Sequence, residues 1–360
     1  MSVPKSAEEI TPAWLMQAVA DHGRERLDGL STVRAQEVGD YSGVTTRIVR
    51  LGLDYEPGGR GPPSLVAKLA TGAREMREAA RFYGFYKREV AFYASLADTL
   101  SLRTPRCWAA VLDEETHDFA LVMEDLGRWT RTDQVDGLTL EQARRAVDAL
   151  ASLHLEWWAR PELVALTEVI QPLAQPPYSN FGMRHAAAWN RFEDFLKGRV
   201  SPSMLRLGEK LAGALDGLVA SISDGPLTLC HGDFRADNLL FEPGGAGLAV
   251  VDWQMSTQAR GAFDVGYLLS GSVQSADRRA WELDLLRNYH ARLIAGGVAG
   301  YEFATCLADY RNSALVAFTY CVQGGAASDL SNPRIAALFD CIARRCEAAV
   351  NDLHLHELVG

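Results

Sequence analysis

The apolar positions fall into two textures along the chain. Up to about Leu126 most runs alternate, apolar then polar, as half-buried strands do. Beyond Arg131 the spacing lengthens to the three-and-four step of helices. Thr11-Pro12 followed by AWLMQAVADHG predicts an N-capped amphipathic helix that Gly23 closes. VRAQEV (Val33 to Val38) and TTRIVRLGLDY (Thr45 to Tyr55) predict two strands joined by GDYSG. A turn cluster, PGGRGPP, leads to a third strand, SLVAKLA, from Ser64. Three strands on short turns predict an antiparallel meander.

From Arg74 to Thr99 the spacing predicts one helix, with Phe82, Phe85, Tyr86, Val90, Tyr93 and Leu96 on a common face. Two further strands follow, Arg106 to Asp113 and Phe119 to Leu126. Thr139 then opens a long helix, and apart from a hairpin after Leu227 the remainder is predicted helical. Strands first and helices afterwards point to an α+β fold of two lobes. The expected division is 1–126, a five-stranded antiparallel sheet with a helix, and 127–360, mainly helical with a hairpin.

At 360 residues the chain is long enough for two lobes around a large core. A net charge of −10 argues against broad attraction to nucleic acid or to an anionic membrane. None of the six cysteines forms a CxxC pair, so reduced thiols and a cytoplasmic location are expected. The first residues show no charged-then-apolar signal pattern, and no apolar run approaches the ~18 residues of a membrane span.

The chemistry concentrates in LTLCHGDFRADNLLF, from Leu227, and in the later AVVDWQ. Asp233 and Asn238 are five apart, and Asp252 lies fourteen beyond Asn238. Leu239 to Phe241 and Leu248 to Val251 read as paired strands around EPGGAG, an arrangement expected to bring Asp252 near Asn238. An amide oxygen and a carboxylate there would suit Mg²⁺, which keeps waters and takes phosphate oxygens for its other ligands. Asp233, on the preceding loop, would be free to act as a base toward a hydroxyl. Metal, base and loop Asn together are the parts of phosphoryl transfer. The competing reading, an Asx-turn cluster capping a hairpin, does not account for His231-Gly232 before it or the strand-borne Asp252 after it.

These motifs resemble the catalytic and metal loops of the aminoglycoside phosphotransferase and choline kinase family, part of the protein-kinase-like superfamily. Protein kinases show the same five-residue step in HRDLKxxN. The resemblance implies a bilobal protein-kinase-like fold, ATP and Mg²⁺ as cofactors, Asp233 as catalytic base, and Asn238 and Asp252 as metal ligands. Arg235 falls where protein kinases carry a Lys. It would either stabilise charge on the transferred phosphoryl group or hold the loop in shape.

The same resemblance implies the rest of an ATP site. Lys68, in LVAKLA, matches the family's phosphate-contacting Lys, and a Lys in an apolar strand needs an anionic partner. Glu75, Glu78 and Glu89 are available; REVAFYASL resembles the family's helix around the pairing Glu, which favours Glu89. GDYSGVTT departs from GxGxxG and reads equally as a hairpin turn; its resemblance to the family's nucleotide loop implies that Gly39 and Gly43 admit phosphates, with Ser42 and Thr45 as added donors. The resemblance places Met123 behind the adenine, with the Glu124 carbonyl and Leu126 amide as its partners. It gives Asp264 and His231 supporting roles at the catalytic loop, and His154 reads as a packed helix residue.

Trp253-Gln254 replaces the Phe-Gly of protein kinases, and no Ala-Pro-Glu segment follows, so a regulated protein kinase is not expected. The acceptor pocket is expected between the catalytic loop, the segment after Pro161 and DYRNSALVAFTYCVQGGAASD. Both segments are aromatic and aliphatic, with scattered acids at Glu193, Asp194 and Asp309. A polycationic aminoglycoside would call for concentrated carboxylates. The HGDFRADNLLF and DWQ variant also looks like relatives that act on apolar alcohols, hydroxyacyl-thioesters or ecdysteroid-like compounds. The expected activity is transfer of the ATP γ-phosphoryl group to a hydroxyl of a small, fairly apolar molecule. An aminoglycoside or choline-like alcohol is the alternative acceptor, and a silent nucleotide-binding pseudokinase the alternative class.

Overall fold

A computed structural model of the protein describes residues 2–23, 25–38 and 45–360. The chain forms two compact units, Met1–Trp129 with Ala249–Met255, and Thr130–Leu248 with Ser256–Gly360. The segment Ala249–Met255, placed by sequence in the second lobe, packs with the first unit instead.

In the first unit, α1 (Pro12–His22) is capped by Thr11, whose side chain accepts from Trp14 N–H. It precedes β1 (Asp28–Glu37), β2 (Thr46–Arg60), β3 (Ser64–Ala70), α2 (Arg74–Tyr83), α3 (Phe85–Ser95), β4 (Cys107–Leu112) and β5 (Phe119–Glu124). The five strands form one antiparallel sheet in the order β1-β2-β3-β5-β4. Every second residue faces one core: Val49, Leu51 and Leu53 on β2, and Leu65, Ala67 and Leu69 on β3. They pack with Leu15, Ala18 and Val19 of α1. At roughly 1.5–3 kcal/mol for each large aliphatic side chain so buried, this layer fixes the strand register. Lys68, between Ala67 and Leu69, is thereby turned to the other face of the sheet, opposite Ile48 and Leu121 in the ladder.

Two elements differ from expectation. β2 continues to Arg60, through half of the predicted turn cluster. Arg60 pairs with Asp28, and register shifts around Leu30 absorb the irregularity. The single helix from Arg74 to Thr99 is instead two, because Gly84 adopts φ +68°, a conformation that ends α2 and starts α3. As a result Phe82 is exposed, while Tyr86, Phe92 and Tyr93 are buried.

The second unit runs β6 (Thr130–Arg131), α4 (Leu140–Trp157), α5 (Glu162–Leu166), α6 (Phe181–Leu196), α7 (Pro202–Ile222), β7 (Thr228–Cys230), β8 (Leu239–Phe241) and β9 (Leu248–Val250). After Met255 come β10 (Thr257–Ala259), α8 (Ala262–Ser272), α9 (Ser275–Ala295), α10 (Phe303–Ala327) and α11 (Pro333–Asp352). Thr139 and Gln142 close a reciprocal capping box at the start of α4. The nearly wholly buried α8 packs against α10, which also meets α6, α7 and α11. Two short strands escaped the sequence reading: β6 pairs with β8, and β10 with β7. From β9 the chain enters the first unit, where Val250 N–H donates to the Arg103 carbonyl at 2.9 Å. Among the described residues no helix is long and apolar enough to cross a membrane.

Candidate active site

The HGDFRADN loop, residues 231–238, is held within the second unit. β10 pins β7 through the register Thr257↔Cys230, and the chain leaves β7 directly into His231. Asp264, near the start of α8 and fully buried, accepts from His231 N–H at 2.7 Å and from Gly232 N–H at 3.0 Å. The His154 ring approaches the same carboxylate at 3.3 Å and the Tyr289 hydroxyl at 2.9 Å. Gly232 has φ +83°, the left-handed backbone that turns the loop. His231 Nδ1 accepts from Asp233 N–H at 3.2 Å, so the imidazole stays within the loop.

Asp233, buried, carries a carboxylate held on both sides. Its Oδ2 accepts from Arg235 Nε at 3.2 Å and from Asn238 Nδ2 at 3.0 Å; its Oδ1 accepts from the Tyr267 hydroxyl at 2.7 Å. Burial, and then the adjacent Asp233 charge, hold the Tyr267 phenol well above its usual value, so it stays protonated and donates. Arg235 Nη1 also reaches Gln134 Oε1 at 3.1 Å and Asp237 Oδ2 at 3.0 Å. Gln134 is fixed in turn: its N–H donates to Asp237 Oδ1 at 3.1 Å, and buried Arg345 donates to its carbonyl at 2.6 Å.

A second constellation lies within the first unit. Lys68 Nζ donates to Glu89 Oε1 at 2.8 Å and to Asp252 Oδ1 at 2.7 Å. Lys68 and Glu89 are almost wholly buried, whereas the Asp252 side chain keeps 22% exposure. Burial alone would lower the Lys68 pKa, but the charges of Asp252 and Glu89 outweigh it and hold the ammonium above its ordinary value. Glu89 shifts upward too, through burial, against the pull of Lys68. One ammonium shared by two carboxylates leaves the deeper carboxylate under-compensated. Of the three helix acids the sequence offered, Glu89 is the one at Lys68.

The Asp252 loop is held by α3. Asp252 sits at φ +68°. The Trp253 ring stacks on Phe92 at 4.0 Å and 9°, and its indole N–H donates to the Val250 carbonyl at 3.2 Å. Arg88 Nη1 donates to the Gln254 carbonyl at 2.8 Å, and Thr45 Oγ1 donates to Gln254 Oε1 at 3.0 Å. Met123 is buried in β5, facing Val66 and Cys107 in the ladders. The Glu124 carboxylate takes both of its 2.8 Å contacts from Arg103, and the Leu126 carbonyl accepts from Trp129 N–H at 2.8 Å. Ser42 and Gly43 lie outside the described residues.

Each unit presents a side-chain oxygen group of the kind that a hard divalent cation takes. Asn238 Nδ2 donates to the Asp233 carbonyl at 2.8 Å and to its carboxylate at 3.0 Å, so the amide's remaining polar atom is its oxygen. Asp252 supplies a partly exposed carboxylate. Oxygen donors of this kind match Mg²⁺ rather than a thiophilic metal.

Tyr267, Gln134, Arg88 and Phe92 went unnoticed in the sequence. Tyr267 sits in GAFDVGYLL, two turns of buried helix with no local polar pattern, so no signal marked it.

The strand order, the antiparallel sheet and the helical second unit define the α+β fold of the protein-kinase-like phosphotransferases. The chain belongs to the ecdysteroid kinase-like family, whose model matches residues 41–296. Among solved structures, an aminoglycoside 2'-phosphotransferase-IIIa in complex with GDP superposes with a TM-score of 0.54 at 14% identity, covering 94% of this chain and 96% of that one. An ethanolamine kinase from Plasmodium vivax gives 0.51 at 10% identity, over 87% of this chain and 81% of that one. These likenesses show the fold. A stretch of 85 residues, 23% of this chain, is 36% identical to Acyl-CoA dehydrogenase family member 11 of Gallus gallus; the match spans a tenth of that protein.

Proposed function

We propose that the protein is an ATP-dependent kinase that moves the γ-phosphoryl group to a hydroxyl of a small, fairly apolar molecule. The observation that carries this reading is the Asp233 carboxylate, fixed by three donors on a loop anchored to buried Asp264. A base must be aimed before it can act, and its value falls steeply when it wanders. The acceptor oxygen forms its bond to the γ-phosphorus, the bond to the β-bridging oxygen breaks, and the acceptor proton goes to Asp233 while ADP departs.

Lys68 would meet the nucleotide phosphates, with Glu89 holding its ammonium in place. Asn238 and Asp252 would hold Mg²⁺, which supplies positive charge to the phosphoryl oxygens. Ser42 and Gly43 would cover the phosphates; Met123, the Glu124 carbonyl and the Leu126 amide would receive the adenine. The hydrogen bonds of Arg235 to Asp233, Gln134 and Asp237 favour the loop-holding role over direct contact with phosphate.

Charge bears on the acceptor class. Asp309, raised by burial, is taken by Arg260 at 3.3 Å and by the Tyr301 hydroxyl at 2.9 Å. Glu193 and Asp194 pair with Lys197 at 3.1 and 2.6 Å. The acids that a polycation would need are committed to the protein's own cations. Around Asp233 stand Tyr267 and, against its ring, Tyr320 and Phe263. That environment favours an apolar alcohol over an aminoglycoside or choline-like acceptor.

The test is ADP release from MgATP against a panel of sterol, fatty and amino alcohols, with mass spectrometry of the product. Asp233→Asn should abolish transfer and keep nucleotide affinity. Equal background for both proteins with every alcohol, while ATP still binds, would establish the pseudokinase instead.

A further inference from the structure

Asp233 has four lone-pair positions, and their occupancy is uneven. Oδ2 takes two donors, Arg235 Nε and Asn238 Nδ2. Oδ1 takes the Tyr267 hydroxyl at 2.7 Å, the length of an O–H···O⁻ bond. Because Oδ2 is filled by groups of the loop itself, the oxygen that a substrate hydroxyl approaches is Oδ1. A hydroxyl already sits there, supplied by α8. The Tyr267 ring is set edge-on to Tyr320, centroids 5.5 Å apart at 78°, and lies 6.4 Å from Phe263. Tyr320 is in turn edge-on to Phe181 at 6.2 Å. The ring is thus held by aromatic neighbours on α10 and α8, and its hydroxyl is turned to the base.

We infer that Tyr267 guards the base: its hydroxyl occupies the acceptor's place on Asp233 Oδ1, withholding the carboxylate from water until an acceptor hydroxyl displaces it. A kinase with a well-aimed base faces a side reaction in which water is the acceptor. Water's oxygen bonds to the γ-phosphorus, the bond to the β-bridging oxygen breaks, a water proton passes to Asp233, and ADP and phosphate leave. A phenol donating to Oδ1 blocks that path, because it fills the position that water would take. Water has no other contact with which to compete for the place. A bound acceptor does, because the rest of the molecule is held by the pocket. Tyr267 is accordingly a positioning residue that separates transfer from hydrolysis, a role beyond the proposed activity although it rests on that reading.

The experiment uses the full-length protein, MgATP and no acceptor, and follows phosphate release per nucleotide site counted by calorimetry. Tyr267→Phe keeps the ring and deletes the hydroxyl; Tyr267→Met is a second hydroxyl-free variant should the first fold poorly. Each is expected to raise acceptor-free hydrolysis at least about fivefold, and adding Asp233→Asn should return it to background. A residue that merely braces the loop can only lower this rate when altered. Hydrolysis unchanged or reduced in both variants, with MgATP still bound, overturns the guard role and leaves the kinase reading standing. Failure of the unaltered protein to bind MgATP overturns the kinase reading, and the guard with it.

Discussion

Lys68 Nζ lies 2.7 Å from Asp252 Oδ1, although 184 residues separate the two in sequence, and the same ammonium holds Glu89 on its other side. A buried cation between two carboxylates is costly to remove, since its loss leaves like charges facing each other in a poorly hydrated place. Lys68→Met should therefore destabilise the protein by about 3 kcal/mol. Adding Glu89→Gln should recover most of that loss, because the deeper negative charge goes as well. Urea unfolding of the four proteins of this cycle measures the coupling. Additive effects would show that Glu89 does not depend on Lys68 for its burial.

Asp252 combines a partly exposed carboxylate with φ +68°. Asn tolerates that backbone nearly as well as Asp, whereas Ala there costs about 1–2 kcal/mol. Asp252→Asn should keep the melting temperature close to that of the unaltered protein, and Asp252→Ala should lower it. In the proposed kinase both should weaken MgATP binding at least about tenfold, while affinity for metal-free ATP changes much less. Calorimetry with and without a chelator separates the two effects. Equal losses in both titrations would remove Asp252 from the metal set.

Asp264 accepts two backbone N–H groups of the loop, at 2.7 and 3.0 Å, and lies 3.3 Å from the His154 ring. Asp264→Asn puts an NH₂ where one acceptor stood, so at least one buried loop amide loses its partner, at about 1–3 kcal/mol. In the proposed kinase, kcat should fall at least about tenfold with the KM for ATP nearly unchanged, because the loop aims the base and does not grip the nucleotide. A variant changed in KM alone would contradict that division of labour.

What could be read from the sequence was local. The spacing of Asp233, Asn238 and Asp252 marked the loop and the strand end, and the alternation in LVAKLA put Lys68 on a sheet strand. The contacts that hold these groups were hidden because they span long separations: 34 residues from Tyr267 to Asp233, 101 from Gln134 to Arg235, and 166 from Arg88 to Gln254. The return of Ala249–Met255 to the first unit was hidden for the same reason, since it depends on the bridge between Arg103 and Ala249. Gly84 was visible but ambiguous. An isolated Gly within helical spacing can be tolerated or can end the helix, and only the left-handed backbone it adopts decides between them.

His185 offers a test of the second unit's core that needs no ligand. Its ring is fully buried on α6, its Nε2 bonds to the Gly208 carbonyl at 2.8 Å, and the ring lies near-parallel to Trp189. Among the described residues Nδ1 has no hydrogen-bond partner, so a second proton there would be stranded. Burial outweighs the help from Gly208 and holds the imidazole below its ordinary pKa. A histidine depressed in the folded state leaves stability untouched above its unfolded pKa, about 6.5, where neither state binds the extra proton. Below that, the unfolded chain takes a proton that the folded one refuses, and stability is lost as pH falls. The loss can reach about 1.4 kcal/mol per pH unit until the depressed folded pKa is passed. Gln at this position can still donate to Gly208 but does not titrate. The stability difference between the unaltered protein and His185→Gln should thus be constant above pH 7 and shift in favour of the variant between pH 6.5 and 5. A pH-independent difference over that range would mean that the folded protein accommodates the imidazolium.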